Sequence, residues 1–235
     1  MSVFVLPSLD DPAVAQRPAT AGYRAFDALR RAIVQLRLLP GNPLSEAEVA
    51  RQFGISRQPV REAFIKLAEV GLVEIRPQRG TFVKLISMRE VENARFVREA
   101  IEVAIASKAS REAAASAGDA LRALIERQRE ASRSGDHVAF LELDETFHQQ
   151  IAIAADCDHA WRVLEGLKAQ MDRVRYLSMP QATPIETLIA QHDAIAAAIS
   201  EGRPAAAEAA MRAHLSEILT SLPILAGLHP ELFSP

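Results

Sequence analysis

The chain has 235 residues, 49% of them hydrophobic, one cysteine and a formal net charge of −3, enough length and apolar content for two small domains with a core each. No apolar run reaches membrane-spanning length and the start MSVFVLPSLD carries no basic leader, so a cytoplasmic protein with no membrane partner is expected. The lone Cys157 lacks the partner a disulfide needs and the spaced neighbours of a zinc ribbon or redox motif.

The charge is divided unevenly. Residues 24–84 hold eleven Lys and Arg against six Asp and Glu (+5), whereas residues 85–235 hold fifteen against twenty-two (−7). The basic segment suits a polyanion, and the acidic remainder suits cations or protein contacts.

In chain order, residues 1–17 are rich in Pro, Asp and Ala without periodicity and read as a mobile arm. Tyr23, Phe26, Leu29, Ile33 and Leu36 recur at helical spacing up to Pro40-Gly41. Ser45 and Ser56 stand where N-caps belong, Gly54 is a turn between two short helices, and Gly71 is a stop, which together make a helix-turn-helix. The period then changes to alternation through Leu72, Val73, Ile75 and on to Thr81, Phe82 and Val83, with Pro77-Gln78-Arg79-Gly80 between, which reads as a β-hairpin wing.

Beyond Ser87 the pattern is helical, with six stretches expected near 88–107, 111–133, 137–154, 158–178, 182–201 and 203–225. The expected fold is therefore mainly α. A winged helix-turn-helix over 18–85 is followed by an all-α antiparallel bundle over 86–225 and a tail over 226–235.

The start of the second short helix carries the chemistry of the first domain. Ser56, Arg57, Gln58 and Pro59 sit where a recognition helix enters the major groove, and Arg61 follows one turn later on the face of Arg57. Arginine can fork to guanine, glutamine can read adenine, and the hydroxyl with the helix N-terminus can take a phosphate. Arg79-Gly80 puts a cation on a tip narrow enough for the minor groove. Each arginine taken singly is explained as well by solubility; the capped turn, paired arginines, basic tip and local charge together point to DNA.

The segment LSEAEVARQFGISRQPVREAFIKLAEVGLVEIRPQRGTFV resembles the hallmark of the GntR transcriptional regulators. The match runs from Pro40-Gly41 through Leu44-Ser45-Glu46, Phe53-Gly54-Ile55-Ser56-Arg57, Pro59-Val60-Arg61-Glu62-Ala63 and Gly71-Leu72-Val73 to Arg79-Gly80. The resemblance implies a homodimer on pseudo-palindromic double-stranded operator DNA, with Arg57, Arg61 and Gly80 among the contacts. One position departs: Ala47 stands where some members place a DNA-touching arginine, so that contact is expected to be absent.

In the helical half, Asp144 and His148 stand four apart on the face that carries Phe140 and Ile151, His192 lies between Leu188 and Ile195, and His214 between Met211 and Ile218. Any one inward histidine is more often a hydrogen-bonded core residue than a ligand. Three imidazoles and a carboxylate facing one interior from three helices instead suit a divalent metal. His137, His159 and His229 fall near helix ends and are expected at the surface.

Residues 90–220 also resemble the FCD domain of the FadR branch, through Arg98-x-x-Ile101-Glu102, Asp144-x-x-Phe147-His148, His192-x-x-Ile195 and Met211-x-x-His214. That resemblance implies a zinc, nickel or other divalent ion on Asp144, His148, His192 and His214. It further implies a small carboxylate effector on that ion, held by Arg98, with Arg175 and Arg173 as further candidates to line the cavity. Six helices would suit the VanR-like subgroup. Read as residues alone, Arg98 could simply pair with Glu102 one turn on. The rival readings are a purely structural ion and a metal-dependent hydrolase fused to a DNA module. The second lacks a general base at recognisable spacing, since Glu145 is expected on the outward side of its helix.

Overall fold

The computed structural model describes residues 20–179 and 182–234, together with Leu6 and Leu9. Most of the expected arm thus lies outside the described residues. At its two described positions the Leu6 amide donates to Oε1 of Gln52 at 3.0 Å and Leu9 is buried. The chain forms two compact units, one of Met1–Met88 with His229–Pro235 and one of Arg89–Leu228.

The first unit opens with α1 (Ala21–Val34), which buries Ala25, Ala28, Leu29, Ala32 and Ile33. It ends before Pro40-Gly41 because Leu36 turns left-handed (φ 55°) and the amides of Arg37 and Leu38 close onto the Ala32 carbonyl. α2 (Glu46–Phe53) is capped by the Ser45 hydroxyl, which accepts the Glu48 amide, and stopped by left-handed Gly54. α3 (Arg57–Glu69) packs Val60, Ala63, Phe64 and Leu67 inward against α1.

The wing is the hairpin of β2 (Val73–Arg76) and β3 (Gly80–Val83), closed by the Arg79 amide on the Arg76 carbonyl at 3.0 Å, with Gln78 left-handed at φ 59°. A third strand, β1 (Pro43–Leu44), pairs antiparallel with β3 and gives the order β1-β3-β2. Two residues are too short for alternation to announce them. The chain's end returns to this unit, where Ile86 bridges Phe233.

The second unit is helical: α4 (Met88–Glu112), α5 (Ala114–Ser134), α6 (His137–Ala154), α7 (Asp158–Leu167), α8 (Ala169–Ser178), α9 (Ile185–Ser200) and α10 (Pro204–Leu228). α5 lies against α6 and α9, and α9 against α10, around a core that includes Leu121, Phe140, Phe147, Ile151, Trp161, Ile195 and Met211. Among the described residues this makes seven helices where six were expected, because the stretch 158–178 breaks at Lys168. That residue takes ψ 0° and turns a buried ammonium toward Glu145 at 2.7 Å and Asp172 at 3.1 Å. Gly166, two residues before the break, is a single glycine that a helical pattern tolerates, so pattern alone reads one helix, and the helix count no longer argues for the VanR-like subgroup. α10 also runs on to Leu228, past the residue 226 at which the tail was expected.

Candidate metal centre and DNA-reading face

On the first unit, Ser56, Arg57, Gln58 and Arg61 are exposed along the start of α3, with Pro59 in its first turn, and Arg79 and Gly80 are exposed at the wing tip. Ser56 holds the N-cap backbone geometry but its side chain makes no cap bond, contrary to expectation, so the hydroxyl does not occupy the first-turn amides. Two of the exposed side chains are already oriented. Gln58 donates to Glu62 at 3.1 Å, and Arg61 grips both carboxylate oxygens of Glu46 at 3.0 Å each. Those bonds, with the Arg57 charge adding to them against a small desolvation cost, hold the Glu46 carboxyl below its ordinary range.

In the second unit Asp144 and His148 from α6, His192 from α9 and His214 from α10 converge, all buried. Nε2 of His214 lies 3.1 Å from Nε2 of His148 and 3.4 Å from Nε2 of His192. Asp144 stands 3.4 Å from His192 through Oδ1 and 3.9 Å from His148 through Oδ2. Two imidazole nitrogens on one tetrahedral zinc, each about 2.0–2.1 Å from it, sit ~3.3 Å apart.

The opposite ring edges decide what those nitrogens carry. Nδ1 of His192 faces Oε1 of Gln128 at 2.8 Å, Nδ1 of His214 faces Oε1 of Gln191 at 2.9 Å, and Nδ1 of His148 lies 2.6 Å from Oε2 of Glu102. Both amides are turned oxygen-first, since Gln128 donates its Nε2 to the Leu143 carbonyl and Gln191 donates to Glu217. With the protons on Nδ1, three Nε2 lone pairs point at one another. Oδ1 of Asp144 is buried among them without a hydrogen bond. Such a set repels itself unless a cation lies within it, so the donors fit a divalent ion.

The protonation states agree. Burial pushes His192 down to about 3, although Asp144 pulls the other way, and burial beside the other two imidazoles takes His214 well below its ordinary value. Burial works against the charge of Asp144, yet Arg175 and the imidazoles hold it far below the usual carboxylate range. Glu102 is likewise opposed by burial but held at about 2 by Arg98 and His148. The ring of Phe147 stacks on His192 at 4.3 Å, which fixes its tilt.

A cavity of about 50 Å³ opens onto this cluster through Asp144 and His214, lined also by Arg95, Arg98 and Arg175. Arg98 pairs with Glu102, as the plainer reading of the sequence has it, and its Nη2 is left buried without a hydrogen bond. Arg175 pairs with Asp144. Arg173 is buried beside Gln170 instead of lining the cavity, and burial lowers it to about 10. Glu145 is not turned away: it pairs with Lys168 and lies 3.7 Å from Arg175, because α8 covers that flank of α6. His137 and His229 are half-buried and His159 is exposed, all outside the cluster. Gln128, Gln191, Lys168 and the His148 contact of Glu102 escaped sequence reasoning, since nothing local marks them.

Comparison with known proteins agrees with both units. Residues 22–83 match the family model described as bacterial regulatory proteins, gntR family, and residues 94–217 match the FCD domain. The HTH-type transcriptional repressor RspR of Escherichia coli is 47% identical over 197 residues, covering 84% of this chain and 86% of that one. The HTH-type transcriptional regulator LutR of Bacillus subtilis is 27% identical over 203 residues, covering 77% and 91%. The solved structure of E. coli McbR/YncC shares the fold with a TM-score of 0.74 at 19% identity, over 90% of this chain and 99% of that one. The chain belongs to the GntR family of DNA-binding transcriptional regulators, in the branch that carries an FCD domain. No helix among the described residues is long and apolar enough to cross a membrane.

Proposed function

We propose that the chain is a homodimeric repressor whose operator affinity is set by a small carboxylate effector bound at a divalent metal, zinc in the first instance. In this reading residues 18–85 grip the operator and residues 86–225 receive the effector. Arg57 and Arg61 enter the major groove with Gln58, Ser56 and Pro59 beside them, and Arg79-Gly80 reaches the minor groove. Asp144, His148, His192 and His214 hold the ion, which supplies a Lewis-acid position for a carboxylate oxygen. Arg98 offers its unpartnered Nη2 to the same carboxylate and Arg175 orients Asp144.

The observation that carries the reading is the convergence of three Nε2 atoms, with the His192 and His214 rings hydrogen-bonded from behind by Gln128 and Gln191 and the His148 ring 2.6 Å from Glu102. Asp144 and His214 line the cavity as well as the cluster, which favours sensing over an ion that only ties helices together. The effector lowers operator affinity, and by linkage DNA lowers effector affinity by the same factor. The test is a fluorescence-anisotropy titration of an operator, selected in vitro from random duplexes, with chelated and with zinc-loaded protein in the presence of small organic acids. Zinc-dependent release by an acid is expected. Operator binding indifferent to both metal and every acid would leave the ion purely structural.

A further inference from the structure

Resting on the placement of Gln58 in the major groove proposed above, we infer that Glu62 is a positioning residue for base reading. It holds the Gln58 amide with its oxygen outward, so that Gln58 selects a base bearing an exocyclic amino group, adenine or cytosine, against guanine and thymine. A free glutamine amide has no such preference. It ends in an acceptor oxygen and a donor nitrogen, and half a turn about its last bond exchanges them, so what it reads depends on which end is held from behind.

Glu62 holds the donor end. Nε2 of Gln58 donates to Oε1 of Glu62, one helical turn on, at 3.1 Å. A carboxylate has no proton to give, so the reversed amide would set acceptor against acceptor. The other carboxylate oxygen lies against α1, where a Cβ on Gly22 would stand 3.0 Å from Oε2 of Glu62. Gly22 is the second residue of α1, whose first-turn amides attract an anion, and its missing side chain admits one there.

Arg61 and Gln58 then ask for opposite partners. Glu46 accepts from Nε and Nη2 of Arg61, which leaves Nη1 of that guanidinium to donate to guanine O6 or N7. Gln58, three residues earlier on the same helix, offers lone pairs. At base edges in the major groove only adenine N6 and cytosine N4 donate, whereas guanine O6 and thymine O4 would face the amide oxygen with no proton between them. Gln58 and Glu62 are both exposed, so the bond between them adds little to the fold. In the groove the amide is desolvated, and an acceptor left facing an acceptor there carries the cost that discriminates.

Affinities of the full chain for a duplex selected from random sequences, and for its single-base variants, give the test. Gln58→Ala marks the position that the amide reads, as the one at which base preference is lost. With adenine at that position, on whichever strand binds better, its replacement by guanine, or by purine, which keeps N7 but lacks the amino group, is expected to weaken wild-type binding about tenfold. Glu62→Gln keeps the size of the side chain but can bond either end of the amide. It is expected to shrink both losses to less than about threefold, with the melting temperature unchanged. Glu62→Lys, which donates to the amide oxygen and turns Nε2 outward, is expected to favour guanine there. Purine bound as tightly as adenine, or full discrimination retained in Glu62→Gln, overturns the inference while the groove placement of Gln58 stands. Base preference unaltered by Gln58→Ala overturns that placement and this inference together.

Discussion

Arg61 of α3 and Glu46 of α2 meet in a two-point ion pair, Nε to Oε1 and Nη2 to Oε2 at 3.0 Å each, across the turn of the helix-turn-helix. The pair fixes the plane of a guanidinium on the exposed face proposed to read DNA, and a guanidinium held in plane loses less entropy when it forks to a base. It is half exposed and adds little to fold stability. Glu46→Gln is therefore expected to leave the melting temperature nearly unchanged, to tighten non-specific DNA binding by removing an anion from the face, and to cut discrimination by about tenfold (~1.4 kcal/mol). Anisotropy titrations of selected and scrambled duplexes check this; unchanged discrimination would reduce Glu46 to a surface charge.

Arg57 stands on the same face as Arg61 and is exposed. If it neutralises one phosphate, Arg57→Ala lowers the slope of log affinity against log salt by about 1 for any duplex, whereas loss of a base contact weakens only the selected duplex. Salt titrations on both duplexes separate the two outcomes.

Removal of His192, whose Nε2 is one of the three converging nitrogens, is expected to abolish tight zinc binding. Zinc at about a hundred times its Kd should stabilise the wild-type chain by ~2.7 kcal/mol and do nothing for His192→Ala. Metal analysis after dialysis and thermal melts with and without chelator give the answer.

The amides behind the imidazoles make a sharper test of the centre. Gln128→Leu and Gln191→Leu keep all four ligands but remove the acceptors of His192 and His214. Each is expected to weaken zinc binding about 10–100-fold, read by competition with a chromogenic chelator. An unchanged affinity would mean that the rings are held by packing alone.

Acid should weaken the metal-free fold earlier than carboxylate titration allows. His192 is neutral when folded down to about 3 but takes up a proton near 6.5 when unfolded, and His214 shifts in the same direction. Between those values the unfolded chain binds more protons, so stability falls as pH drops, by about 2 kcal/mol from pH 7 to pH 5 for His192, with His214 acting in the same sense. Asp144, whose folded value is lowered, contributes stability above its unfolded value near 3.8, and so does not offset the loss in that window. Urea unfolding in chelator at the two pH values should show the drop, and His192→Phe should lessen it.

Much of this was legible before any coordinates. Local signals are strong where one residue decides one backbone feature: Ser45 caps α2, Gly54 is left-handed, and the wing turns between Arg76 and Gly80. Helical stripes likewise placed Asp144, His148, His192 and His214 on inward faces, because a 3.6-residue period says which side of a helix is buried. The same reasoning misjudged Glu145, next to Asp144, because the period cannot say that α8 will cover that flank with Lys168 and Arg175. It also read 158–178 as one helix, since at the break Lys168 turns to carboxylates on α6 and α8, which the pattern of its own stretch does not show.

What the amino-acid order determined by itself is therefore the inventory and its sidedness: a short helix with an exposed basic start, a wing, and four ligand-type residues aimed inward. Tertiary structure alone decided which groups stand behind them. Gln128 meets His192 across 64 residues and Gln191 meets His214 across 23, contacts that depend on how α5, α9 and α10 pack. Periodicity reports the environment of one helix against a generic interior, whereas the protonation of an imbidazole-type ligand edge depends on a single oxygen from another helix, and only the packed bundle brings that oxygen within reach.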